Sequence, residues 1–347
     1  MRKAFIAVGA MLLLGLVAGL LWQRYADSVM HADGPHSAAI VLDVRPGMGV
    51  RAVLAELEEL GALRDARAVA LELRRTGAPT IKAGRYEIPP RATAAEIIEQ
   101  LATGRVVLES LTIVEGWTFA EMRAALAAHA AVEQTLRGLS DPEIMRAIGH
   151  PNEHPEGRFF PDTYRFAAGT TDKVILTLAY DRLQTILQDA WSKRAEDLPL
   201  QSPYEALILA SIIEKETGLA SERPQIAGVF VSRLRKGMRL QTDPTVIYGL
   251  AERYDGNIRE RDLRSDTPYN TYTRSGLPPT PIALAGADSI RAATQPLETG
   301  HLFFVATGLG DGSHAFSRTY EEHNQALRRY LARLRSNSMD AGTGGEQ

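Results

Sequence analysis

Residues 204–249 read YEALILASIIEKETGLASERPQIAGVFVSRLRKGMRLQTDPTVIYG, and the rest of the chain is organised around them. The apolar run at the start predicts a helix over 204–217, stopped by Gly218, because glycine just past the last helical position is a common stop. Its last turn holds Glu214 and Glu216, flanking Lys215. Acids are unfavourable there, at the negative end of the helix dipole and on a helix apolar on nearly every side. Desolvation in such a place raises a carboxyl pKa, which suits a general acid at neutral pH. Two readings stand: end-of-helix charges paired with Lys215 or Arg223, or a catalytic carboxyl. Residues two apart on a helix point about 200° apart, so the two acids cannot share one cleft. Glu216 shares its face with Leu209 and Ile212, and Glu214 with Leu207, Ala210 and Ser211. Both faces are apolar, so periodicity does not choose between them.

Composition narrows the function classes. A chain of 347 residues holds more than one domain or subdomain. Its formal net charge of −3 leaves no basic footprint for nucleic acid. Cysteine is absent, which excludes disulfides, thiolate catalysis and cysteine-ligated metals. The eight histidines are scattered, and no HExxH, GxxxxGK[ST], GxGxxG or GxSxG pattern occurs. No metal and no organic cofactor is expected.

Residues 4–22, AFIAVGAMLLLGLVAGLLW, are nineteen without a charge. At 1.5 Å each they nearly span a hydrocarbon core of about 30 Å. Arg2 and Lys3 before them place the N-terminus in the cytoplasm. A retained single-pass anchor over 1–26 is therefore expected, with a cleaved signal peptide as the alternative. The expected location is the cell inner membrane, with the catalytic part in the periplasm. A polar linker follows over 27–38, and then a small α+β module over 39–112. In the module, strands are expected at 40–44, 84–88 and 106–114, with helices at 50–60, 67–75 and 93–101. Thr93 and Glu96 have capping-box spacing. The order of strand, turn, helix and Gly-rich return resembles a LysM-like fold, which implies glycan binding; a plain spacer is the other reading.

The expected catalytic domain covers 113–334. Thr118 with Glu121 caps a helix over 119–131. The aromatic, Pro-rich run 156–166 (EGRFFPDTYRF) reads as a loop lining a cleft. Helices are expected at 172–194 and 222–235. Residues 238–245 read as extended, since a residue before proline avoids the helical region, and a short helix starts at Val246. Residues 265–281 read as loop, 289–294 as helix, 301–306 as strand and 319–334 as a closing helix. Residues 335–347 are expected to be a disordered tail.

Several runs together resemble one family, the MltG-type (YceG-like) endolytic murein transglycosylases. They are IEKET (213–217), RLQTDPTVIYG (239–249), YNTY (269–272) and GLPP (276–279). Glu115-Gly116, Glu156-Gly157 with PDTY (161–164), and the terminal HAFS (314–317) match as well. One departure is Ala285, where the family usually has proline. The resemblance implies a mixed helical and β catalytic domain with a lysozyme-like transglycosylase-type site. It also implies cleavage of the β-1,4 bond between N-acetylmuramic acid and N-acetylglucosamine within glycan strands, leaving a 1,6-anhydro end. Such chemistry needs one carboxyl group, acting first as acid and then as base. A helix-terminal Glu followed by Ser or Thr is the form found in lysozyme-like transglycosylases, and only Glu216-Thr217 has it. The resemblance thus implies Glu216 as the catalytic residue and leaves Glu214 structural. It offers Gln241, Thr242, Asp243, Tyr269, Asn270 and Tyr272 as substrate-binding candidates, with Glu156 and Tyr164 lining the groove. Peptidoglycan strands are the implied substrate, and peptidoglycan synthases the plausible partners. Two rival readings are a non-catalytic glycan-binding scaffold and a conventional muramidase pairing Glu216 with Asp243.

Overall fold

The computed structural model describes residues 2–45 and 47–343, with side chains described for 10–45 and 47–336. The fold is mixed α+β, and the chain forms two compact units. One comprises residues 1–110 with 165–170, and the other 111–164 with 171–347.

The first unit opens with α1 (Arg2–His31), followed by β1 (Ile40–Val44), α2 (Val50–Glu59), α3 (Ala66–Thr76), β2 (Gly84–Ile88) and α4 (Ala94–Thr103). Strands β1 and β2 pair antiparallel, Leu42 opposite Tyr86. Alternate residues face inward, as a pleated strand over one core requires. Leu42, Tyr86 and Ile88 meet Val53, Leu54 and Leu57 of α2 and Ile97 and Leu101 of α4. The Thr93–Glu96 capping box forms, and Gly104 ends α4 in the left-handed conformation. The end of α1 packs on α3 and α4 through Val29 and Met30, and Tyr25 Oη donates to Asp65. Further up, Met11, Leu12, Leu13 and Leu14 are 63–74% exposed. Among the described residues no helix is long and apolar enough to cross a membrane. Positions 4–9 of the expected anchor lie outside the residues whose side chains are described.

Strand β3 (Leu108–Thr112) and β5 (Thr163–Ala167) pair, and the division between the units falls within both. The second unit holds α5 (Phe119–Ala128), β4 (Val132–Glu133), α6 (Asp141–Ala147), β6 (Thr170–Thr171), α7 (Asp172–Ser192) and α8 (Pro203–Glu216). Then come α9 (Arg223–Arg235), α10 (Asp243–Leu250), α11 (Glu260–Arg264), α12 (Ala287–Thr294), β7 (Phe303–Ala306), β8 (His314–Ser317) and α13 (Tyr320–Thr343). Helix α8 is the axis of this unit and packs against α7, α9, α10 and α12. Ala206 to Ile213 are all buried, and Phe230, Leu240, Ile282 and Ile290 close around them.

Three expectations are corrected here. The run 156–166 is not an open loop: Phe159, Phe160, Tyr164 and Phe166 are buried, and the last two lie on β5. Helix α10 begins at Asp243 rather than Val246, because Pro244 sits in the first turn, where its missing N–H costs nothing. Helix α13 runs on to Thr343, past the expected boundary at 334; residues 344–347 lie outside the described ones.

Candidate active site

Ser202 starts α8 by accepting from the Glu205 amide, with Pro203 as the first helical residue. The helix ends at Glu216, and Thr217 leaves it in an extended conformation with φ −145°. The Thr217 hydroxyl then accepts from the Leu219 amide at 3.0 Å. A β-branched residue whose hydroxyl serves the next turn ends the helix, so Gly218 is not needed in the left-handed region.

The two acids meet different fates. Glu214 Oε1 accepts from Arg223 Nη2 at 2.8 Å, and Oε2 accepts from the Gly286 amide at 2.9 Å. The Glu214 side chain is 4% exposed. It is a structural ion pair, tying α8 to α9 and to the start of α12. Glu216 accepts a hydrogen bond from the Thr242 hydroxyl, and among the described residues no cation lies within ion-pair distance of it. Burial, with the neighbouring Asp243 charge, pushes its carboxyl up to about 7. The Thr242 hydrogen bond and the positive fields of His314 and Arg233 oppose that rise. Glu216 is thus divided between acid and carboxylate at neutral pH.

The run 239–245 carries three candidates, of which Thr242 is hydrogen-bonded to this carboxyl and Asp243 acts on it by its charge. Gln241 has φ +50°, a left-handed conformation that non-glycine residues rarely adopt. Its amide donates to Thr271 O at 3.2 Å. The Thr242 amide donates to the Thr271 hydroxyl at 3.1 Å, and the Thr245 hydroxyl to Thr242 O at 2.7 Å. This lacing holds Thr242, 2% exposed, with its hydroxyl on Glu216, while Gln241 and Asp243 on either side stay exposed. Tyr272 Oη donates to Asp243 Oδ1 at 2.5 Å.

The other candidates stand apart from the carboxyl. Asn270 is 1% exposed; its Nδ2 donates to the carbonyls of Asp262, Leu263 and Ser265, and its Oδ1 accepts from the Tyr272 amide. It builds the loop that carries Tyr272. Tyr269 shares a hydrogen bond with Thr280 at 2.9 Å and lies edge-on to Tyr248, ring centres 4.8 Å apart. Glu156 is 5% exposed and accepts from the Phe119 and Gly157 amides and from Tyr248 Oη at 3.0 Å. Burial pushes its carboxyl, too, up to about 7. Tyr164 donates to Phe160 O at 2.7 Å and is 8% exposed. Neither Glu156 nor Tyr164 lines an open groove, contrary to expectation: both turn their polar atoms to the protein itself.

Two groups near Glu216 went unassigned from the sequence. Arg233 of α9, 7% exposed, donates to Leu302 O and Leu240 O. His314 of β8 is held by Glu222, before α9. The HAFS run drew attention to His314, but no spacing reveals a partner 92 residues away. Among the described residues no group of three or more His, Asp or Glu side chains is arranged to hold a metal ion.

In the second unit, then, a buried acid at the end of α8 faces the laced loop 239–245. The sequence model of the YceG-like family matches residues 42–329, and the chain belongs to that family. It is 29% identical to the endolytic murein transglycosylase of Bacillus subtilis (strain 168), over 89% of each protein. It is 23% identical to the endolytic murein transglycosylase of Streptococcus pneumoniae serotype 2, across 95% of this chain and 65% of the longer streptococcal protein. The crystal structure of a YceG-like protein from Listeria monocytogenes superposes with a TM-score of 0.51 at 29% identity. It covers 83% of this chain and 99% of that one.

Proposed function

We propose that the chain is an endolytic murein lytic transglycosylase with Glu216 as its acid and base. The observation that carries this reading is the desolvated carboxyl of Glu216 at the end of α8, pushed up to about 7 and held on the Thr242 hydroxyl. In the first step Glu216 gives its proton to the oxygen linking N-acetylmuramic acid to N-acetylglucosamine, and the C1–O bond breaks. The sugar's own 6-hydroxyl oxygen then bonds to C1, and its proton returns to the Glu216 carboxylate. Two-carboxylate glycosidases need a second acid because water or the protein supplies the nucleophile; here the substrate supplies it. Thr242 fixes the carboxyl, and Gln241, Asp243 and Tyr272 are the proposed contacts with the glycan. Cleavage inside a nascent strand would end or trim its growth. Relatives with this name support the reading.

The module over 39–112 is proposed as LysM-like and glycan-binding. The chain is proposed to be anchored in the inner membrane by the segment around 4–22, N-terminus inside and the second unit in the periplasm, with peptidoglycan synthases as partners. The exposed leucines of α1 support the anchor, since such a surface is unfavourable in water.

Glu216→Gln is expected to lower release of anhydro-muropeptides from purified cell wall about 10²–10⁴-fold, the usual worth of a general acid. Mass spectrometry of the wild-type product is the companion measurement. An end one water heavier would instead favour a muramidase in which Asp243 activates water, and a fully active Gln variant would remove Glu216 from the mechanism.

A further inference from the structure

The last turn of α8 is held by more than the Glu214 ion pair. Arg223 Nη2 lies 2.8 Å from Glu214 Oε1 and 3.5 Å from Glu115 Oε2, and Nη1 lies 3.9 Å from Asp288 Oδ2. One guanidinium thus faces carboxylates from three places: α8, the loop after β3, and α12. Arg223 is 8% exposed, so little water screens the repulsion that it offsets among those acids. The loop after β3 holds the same turn through its backbone, because Lys215 Nζ donates to Gly116 O at 3.1 Å. The Gly116 amide donates to Leu284 O at 2.8 Å, and the Leu284 amide to Trp117 O at 2.7 Å. Two residues further on, the Gly286 amide donates to Glu214 Oε2 at 2.9 Å. Gly286 has φ −73°, which any residue adopts, yet a Cβ there would overlap the Glu115 carboxyl. Glycine at 286 therefore makes room for Glu115 rather than serving the backbone.

We propose that Arg223 and Glu115 are positioning residues for the reaction: they fix the last turn of α8 and so hold the Glu216 carboxyl on the Thr242 hydroxyl. This rests on the assignment of Glu216 above. The helix ends at Glu216, and Thr217 is already extended, so the place of the carboxyl depends on the turn behind it. Glu214 and Lys215 are the two residues of that turn next to Glu216, and both are tied down. From Glu214 to Glu216 the helix rises only about 3 Å, so a shift of the first displaces the second. A catalytic group misplaced by about 1 Å can cost about 10²-fold in rate. Arg223 and Glu115 move no proton themselves; they act through Glu214. A lysine at 223 keeps the charge, but its single nitrogen cannot serve the three carboxylates together.

The test compares the full chain as wild type, Arg223→Lys, Glu115→Ala, Gly286→Ala and the double variant Glu115→Ala/Gly286→Ala on purified glycan strands. In Arg223→Lys, kcat is expected to fall about tenfold or more while KM stays within about twofold, since chemistry and not binding loses its geometry. Glu115→Ala and Gly286→Ala give the same split, and the double variant is no worse than Glu115→Ala alone, because the two residues act through one contact. NMR titration of the Glu216 carboxyl reads the position without turnover. A loosened helix end admits water, so the titration in Arg223→Lys moves down from about 7 by about half a pH unit or more. A folded Arg223→Lys protein with wild-type kcat and an unmoved Glu216 titration overturns the proposal, even if its melting temperature falls. If Arg223→Lys does not fold, a Glu115→Ala protein with wild-type kcat overturns it. Absence of anhydro product from the wild type would instead strike the proposed function.

Discussion

Glu214 and Glu216 lie two residues apart on one helix, and their surroundings divide the work. Glu214 has a cation and an amide within hydrogen-bonding distance, so its charge is satisfied in the interior. Glu216 is desolvated and, among the described residues, has one side-chain donor, the Thr242 hydroxyl, so its charge is disfavoured. The difference follows from what the 200° rotation brings each one to face. Thr242 is the residue whose removal should show this most directly. Thr242→Val keeps the shape and deletes the donor to Glu216. The carboxylate then loses a charge-assisted hydrogen bond, worth roughly 1.5–3 kcal/mol. The alkaline limb of activity is expected to rise, because the hydrogen bond holds the Glu216 pKa down. Catalysis should fall about tenfold or more, as the base form becomes harder to reach. Equal pH profiles for Thr242→Val and wild type would mean that the hydroxyl does not control the acid.

At the scale of elements, the site depends on how α10 is seated. Thr242, the residue just before its start, is hydrogen-bonded to Glu216, and its last turn carries Tyr248 to Glu156. Glu156 in turn receives the amide of Phe119, which opens α5. The link is a clamp with a buried acid at its centre. Tyr248→Phe leaves one Glu156 oxygen buried without its donor, which costs about 1–3 kcal/mol. A melting temperature lowered by several degrees is expected, with kcat reduced and KM less affected, because the N-terminus of α10 loosens. An unchanged melting temperature would mean that the clamp bears no strain. Elements governed by near neighbours could be read directly from the sequence. The boxes Thr93–Glu96 and Thr118–Glu121, three residues apart, form as their spacing requires. The box Ser140–Glu143 has the same spacing with Pro142 inside it, yet its helix of seven residues is too short to show an apolar period. The clamp and the Glu222–His314 pair each join residues 92 apart. Only the folded chain brings such partners together, so a pattern of local spacings cannot contain them. Tyr164 and Asn270 show a different limit: their partners are near in sequence but are backbone carbonyls, which a matched side-chain motif does not display.

At the scale of the whole molecule, the site lowers stability. Glu216 and Glu156 both have carboxyl groups pushed up to about 7 from an ordinary 4.5. In the unfolded chain both ionise near the ordinary value, whereas the folded chain keeps their protons until pH is higher. The unfolded state therefore binds fewer protons between those two values, and stability falls as pH rises through this window. Below about pH 4.5 neither group weighs on folding; above about pH 7 each does so in full, on the order of 3 kcal/mol. Replacing Glu216 by Gln removes the charge and keeps an acceptor for the Thr242 hydroxyl. Thermal melts should then place Glu216→Gln a few degrees above wild type at pH 8 and level with it at pH 5. Glu156→Gln should follow the same trend, less cleanly, because its amide group must also meet Tyr248. An inactive Glu216→Gln protein that gains stability only at alkaline pH would tie the catalytic loss and the stability gain to one cause, a buried charge that folding disfavours and catalysis uses. A melting temperature that tracks wild type at both pH values would show instead that Glu216 is solvated in the folded state, and the acid–base role would lose its physical basis.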